Sequence, residues 1–151
     1  MELQSSVSEV EPADFARVVE VWEASVRATH DFVRHEDIEF FRPMVRSVLP
    51  SFEKVACIRD VAGQVAGYIA VAEGKVEMLF VHPQARGQGV GRKLLTHAVE
   101  AYAAVTLDVN EQNDQALGFY RRMGFEVVGR SELDSTGKPY PLLHMQLAAR
   151  T

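Results

Sequence analysis

The sequence predicts an α/β (α+β) protein: a mixed, mostly antiparallel sheet flanked by helices, with residues 1–151 forming one domain. Three observations carry this expectation. Short β-branched and apolar runs alternate with segments whose apolar residues recur at helical spacing. Their order, β-α-α-β-β-β-α-β-α-β-β, mixes hairpins with two crossovers and so calls for a mixed sheet. Finally, 151 residues, 47% hydrophobic and 25% charged, suffice for one sizeable core.

Each element has a local reason. SSVSEVE (5–11) alternates around Val7 and forms the first strand. After Pro12, residues Phe15, Val18, Val19, Trp22 and Val26 build a helical stripe. A second, less regular helix covers residues 35–49 and stops before Pro50. Lys54–Asp60 and Val65–Ala72 make a hairpin around VAGQ, and EGK (73–75) turns into VEMLFV (76–81), closed by His82-Pro83. Leu94, Leu95, Ala98, Val99 and Tyr102 mark the inner face of a third helix; Val105, Leu107 and Val109 alternate as the next strand. Asn113 or Asp114 caps a short helix with Ala116, Leu117, Tyr120 and Met123 inward, and Gly124 ends it. FEVVGRSEL and YPLLHMQLA are the last two strands, around DSTGK.

Composition excludes several classes. A formal charge of −5 argues against a nucleic-acid binder and is compatible with a cationic substrate. MELQSSVSEVE has neither the basic nor the apolar region of a signal peptide, and no apolar run reaches the ~18 residues of a membrane span. The one cysteine, Cys57, forms no internal disulfide and fits a buried strand position, which places the chain in the cytoplasm. His35, His97 and His144 have no partner at ligand spacing, His82 lies on a solvated loop, and HExxH is absent, so no metal is expected.

The chemistry concentrates in QARGQGVGRKLL (84–95). Walker A spacing fails here, and so does G-x-G-x-x-G, because position 92 is Arg. What remains is a strand end, a glycine-rich turn and a helix N-terminus, whose free N–H groups and partial positive charge suit an anion. Glycine at 89 and 91 lets that anion approach without a Cβ in the way. The competing reading is a tight strand-to-helix turn and nothing more.

LFVHPQARGQGVGRKLL resembles the acetyl-CoA motif of the GNAT superfamily of N-acetyltransferases, Gln/Arg-x-x-Gly-x-Gly/Ala, with Arg86, Gly89 and Gly91 at its defined positions. The second family block is similar to NEQNDQALGFYRRMGFEVVG (110–129), with Asn, a helix, Phe-Tyr and Gly-Phe in order. ATHDF (28–32) and GKPYPLL (137–143) further resemble a bacterial YjaB-like branch.

The resemblance implies that the anion is the pyrophosphate of acetyl-CoA, wrapped by Arg86, Gly87, Gln88, Gly89, Val90, Gly91 and Arg92. It implies that the strand ending at Val81 splays from the strand ending at Asn110, and that pantetheine adds there as a pseudo-strand. Backbone N–H groups near Leu79, Phe80 and Val81 would then polarise the thioester carbonyl. Asn113, beyond capping its helix, is the counterpart of a cofactor contact, and Tyr120 of the tyrosine that protonates the departing thiolate.

Acyl transfer to nitrogen also needs a neutral amine, although alkyl amines titrate near ~10. Glu77 and His30 are the candidate bases. Thr29, His30, Asp31, Phe32 and Tyr140 are the candidate acceptor contacts, for a small-molecule or peptide amine. By the same resemblance the last strands are a homodimer interface. The alternative function is a catalytically weak acyl-CoA-binding sensor, which needs the glycine loop but not Tyr120.

Overall fold

In the computed structural model, which describes residues 1–149, the apolar runs pair into one seven-stranded sheet. The strands are β1 (Leu3–Glu9), β2 (Lys54–Asp60), β3 (Val65–Ala72), β4 (Lys75–Val81), β5 (Thr106–Asn110), β6 (Phe125–Ser131) and β7 (Leu142–Leu147). Their spatial order is β1-β2-β3-β4-β5-β7-β6, and among the described residues β4–β5 is the one parallel pair. The helices are α1 (Phe15–Thr29), α2 (His35–Val48), α3 (Val90–Tyr102) and α4 (Asp114–Arg122). The element order matches the expected one throughout.

Both faces of the sheet centre are covered, so β3 is buried along nearly its whole length instead of alternating. On one face Val18, Val21 and Trp22 of α1 and Ile38 and Val45 of α2 pack with Tyr68 and Cys57. On the other, Leu94 and Leu95 of α3 and Tyr120 of α4 pack with Ile69, Leu107, Phe125 and Met145. Cys57 is fully buried, as its strand position suggested, and burial pushes its thiol up.

The boundaries differ where backbone bonds compete. β1 ends at Glu9, because Glu11 forms a capping box with Asp14 around Pro12. α2 ends at Val48, and Leu49–Ser51 tighten into a 3-10 turn that takes in Pro50. The last hairpin loop is wider than DSTGK: Asp134 Oδ1 accepts from the Thr136 and Lys138 N–H groups, and β7 begins only at Leu142.

Two features set up the site. Among the described residues, β4 and β5 pair only at Lys75–Thr106 and Val76–Leu107, then diverge, so the rest of their facing edges forms no ladder between them. Opposite β3, Val71 pairs with Val76 and Ala70 with Met78, which leaves Glu77 as a bulge residue. The bulge resets the alternation. Leu79 and Val81 pack toward α3 and α4, while Met78 and Phe80 pack toward α1 and α2. Among the described residues, no helix is long and apolar enough to cross a membrane.

Candidate active site

The chain leaves β4 through His82-Pro83 and reaches α3 by way of two glycines at φ 78°, Gly87 and Gly89. Both occupy the left-handed region, and no atom stands within 4 Å of where a Cβ would be. Their absent side chains leave an open cradle at the N-terminus of α3. Gly91 differs from expectation: it lies inside α3, and its missing Cβ faces the Phe119 ring at 3.5 Å, not the open space.

The cradle is one end of a cleft of about 420 Å³. Leu79, Phe80 and Val81 form its floor along the free edge of β4. Arg86, Gly87, Gly89, Val90, Gly91 and Arg92 line it from the loop and α3; Asn113, Phe119, Tyr120 and Arg122 from α4; Ser25, Thr29 and His30 from α1 and its end. Arg122, Gln115 and Phe119 were not singled out in the sequence. Their i, i+4, i+7 spacing on α4 is the signal that would have found them. Arg86 donates to Gln115 Oε1 at 2.8 Å. Among the described residues, no carboxylate forms a salt bridge with Arg86, Arg92 or Arg122, so the three arginines that line the cleft bring uncompensated positive charge to it.

Asn113 is the residue that caps α4. Its Oδ1 accepts from the Ala116 N–H at 3.1 Å, which turns its amide nitrogen to His30 Nε2 at 3.2 Å. His30 Nδ1 lies 2.7 Å from Thr29 Oγ1, whose hydroxyl donates to the Ser25 carbonyl. Both imidazole nitrogens are therefore engaged, across the mouth of the cleft. Burial lowers the His30 pKa to about 4, with Asp31 opposing, so the ring is neutral at neutral pH. Tyr120 lies against Phe119 and Phe125, and burial pushes its phenol well up, so it keeps its proton.

Residues 35–148 match the family model described as an acetyltransferase (GNAT) domain. The chain belongs to the GNAT acetyltransferase family. It is 43% identical over 128 residues to the peptidyl-lysine N-acetyltransferase YjaB of Escherichia coli K12, covering 85% of this chain and 86% of that protein. The solution structure of apo-form YjaB from Escherichia coli superposes with a TM-score of 0.87 at 38% identity, over 99% of this chain and 100% of that one. A Thermoplasma acidophilum N-acetyltransferase, PaiA, solved in complex with coenzyme A, shares the fold at 18% identity, with a TM-score of 0.72 over 98% and 100% of the two chains.

Within this GNAT framework, the remaining sequence candidates fall outside the cleft lining. Glu77 is exposed on the β4 bulge. Gln88 donates to the Met1 carbonyl at 3.0 Å, and Asp31 is exposed. Phe32 lies between His30 and Tyr140, with ring centroids 5.3 and 6.2 Å away. The Tyr140 hydroxyl is committed elsewhere: it donates to Asp37 and accepts from the Arg34 N–H. Asp37 is 4% exposed and also binds Lys138 Nζ at 2.8 Å. Lys138 and Tyr140 together lower its pKa to about 2. Asp37 thus fastens the β6–β7 loop to α2, a role that no local motif announced.

Proposed function

We propose that the protein moves the acetyl group of acetyl-CoA onto a primary amine, a peptidyl lysine, in the cytoplasm. The observation that carries this reading is the free edge of β4 at Leu79–Val81, ending beside Tyr120 and beneath the glycine cradle. The donor set fits the cofactor: three guanidinium groups and the N-terminus of α3 for the pyrophosphate, and unpaired strand backbone for the pantetheine amides. The name of the Escherichia coli relative supports the lysine acceptor, and the net charge of −5 suits a cationic one. A homodimer through β6 belongs to the same reading, since β6 is a sheet edge with Val127 and Val128 exposed.

Acetyl-CoA supplies an electrophilic thioester carbonyl and a thiol as leaving group. The protein supplies position and protons. N–H groups on the β4 edge donate hydrogen bonds where negative charge gathers on oxygen. Arg86, Arg92 and Arg122 hold the phosphates away from the reacting end. Tyr120 carries a proton at Oη for the sulfur, and its raised pKa keeps that proton in place until it is needed. His30, with both ring nitrogens bonded, serves in position and not as a strong base. Glu77, outside the cleft, acts only through water.

The test is release of free CoA thiol by purified protein given acetyl-CoA and a lysine peptide, together with Tyr120→Phe. The substitution keeps the ring and should cost less than ~1.5 kcal/mol of stability. We expect kcat to fall about 10²-fold with acetyl-CoA affinity unchanged, the signature of an interaction made in the transition state. A kcat within about threefold of wild type makes Tyr120 a core aromatic and removes its role as acid. No thiol release with any amine would favour the sensor.

A further inference from the structure

The gap beside β4 has two sides. Leu79 and Val81 pack with α3 and with Tyr120 of α4, on the side that also bears the glycine cradle. Phe80, between them, packs toward α1 and α2 with Trp22 and Val26. The cleft reaches this second side at Ser25, Thr29 and His30, which form its α1 wall.

Most polar groups of that wall are engaged with one another. Asn113 Oδ1 accepts from the Ala116 N–H, so its amide nitrogen donates to His30 Nε2. Thr29 gives its hydroxyl hydrogen to the Ser25 carbonyl, so its oxygen accepts from His30 Nδ1. The imidazole is thus the Nδ1–H tautomer, with neither nitrogen left for a ligand. Ser25 is different. Among the described residues its hydroxyl has no hydrogen-bond partner, although the residue is only 7% exposed. Nor is that hydroxyl sealed in protein, as the unpartnered Tyr68 hydroxyl is: Ser25 lines the cleft.

A serine is also out of place in this helix. Its companions on the buried stripe of α1 are Val18, Val21, Trp22 and Val26. An alanine at 25 would serve that stripe with higher helix propensity and no hydroxyl lacking a partner. A buried hydroxyl that the fold leaves unpaired and opens to a cleft is a hydrogen-bond site for what enters. The lining also sets the charge of the entrant. Among the described residues no carboxylate lines the cleft, and His30 is neutral at neutral pH. An ammonium would meet arginines and no counter-ion there, whereas a neutral amine needs only an acceptor for its N–H.

We infer that Ser25 is the contact for the acceptor nitrogen: its Oγ accepts one N–H of the neutral amine and aims the lone pair at the thioester carbon. This rests on the acetyltransferase reading above. Ser25, Phe80 and Tyr120 line the same cleft, so the amine arrives from the α1 side while sulfur departs on the Tyr120 side. The nitrogen lone pair forms the N–C bond, and the C–S pair leaves with sulfur, which takes the Tyr120 proton. The surplus proton on nitrogen passes to water, from which Tyr120 is restored. Ser25 keeps its own hydrogen and only orients.

The experiment measures kcat and KM for a lysine peptide, and acetyl-CoA affinity by calorimetry, in wild type, Ser25→Ala and Ser25→Leu. Loss of one neutral hydrogen bond should lower kcat/KM about tenfold in Ser25→Ala, mostly through KM. Ser25→Leu, which fills the α1 side of the cleft, should lower it about 10²-fold. Both variants should bind acetyl-CoA within about threefold of wild type, because the cofactor lies on the other side. Ser25→Ala keeps a strong helix former in α1 and covers the case in which Ser25→Leu fails to fold. Wild-type kcat/KM in Ser25→Ala overturns the assignment. So does a fall in acetyl-CoA affinity that matches the fall in turnover, which would put the hydroxyl on the cofactor. Wild-type protein that acetylates no amine would instead refute the acetyltransferase reading, and the assignment with it.

Discussion

Gly89 joins backbone geometry to ligand charge in one residue. Its φ of 78° costs a side-chain-bearing residue about 1 kcal/mol, and its missing Cβ faces open space at the N-terminus of α3. A glutamate there fits sterically but sets a negative charge where the proposed pyrophosphate sits. Gly89→Glu should therefore fold and show no acetyl-CoA binding by calorimetry; retained affinity would move the phosphate site elsewhere. His30 yields a pH prediction. The folded protein holds it near pKa 4 against 6.5 in the unfolded chain, so the unfolded state takes up the proton first on acidification. Stability should fall by about 2 kcal/mol between pH 7 and 5, and His30→Gln should remove most of that fall in urea titrations. Asn113 was legible as a cap, because Asn before a short apolar helix is a local signal. Its hold on His30, 83 residues away, was not.

The element that places the cradle is α3, and its position depends on β3. A Cβ on Gly67 would come within 2.6 Å of Val90 Cγ1 and 3.3 Å of the Phe80 carbonyl oxygen. The start of α3 therefore rests directly on strand backbone. Gly67→Ala should cost about 1–3 kcal/mol through overpacking, seen as a lower Tm, and should weaken acetyl-CoA binding as Val90 is pushed outward. Wild-type values for both would show that α3 is not seated this way. Helical and strand periodicities announced every element. They missed the ends of β1, α2 and the last hairpin, where Glu11, Leu49 and Asp134 make turns that compete with the ladder or helix.

Across the molecule, charge is unevenly distributed. The whole carries −5, yet Arg86, Arg92 and Arg122 face the cleft. Attraction of a polyanionic cofactor should then be local and screened by salt. Acetyl-CoA affinity is expected to fall as ionic strength rises, and Arg122→Ala should lower affinity about tenfold and flatten the salt dependence. Salt-independent calorimetry would leave the three guanidinium groups without this role.

The sequence by itself determined the kind and order of the elements, the glycine turn into α3, the cap of α4 and the inward placement of Tyr120. All of these are local: they depend on spacing within one or two turns of helix or strand. Only the tertiary structure decided that β7 lies between β5 and β6 and that β4 parts from β5 after Val76. It alone joined Asp37 to Tyr140 and Asp108 to His144 and Ser131. The physical reason is that periodicity specifies which face a side chain takes, whereas register and strand neighbours are chosen by packing between segments far apart in the chain.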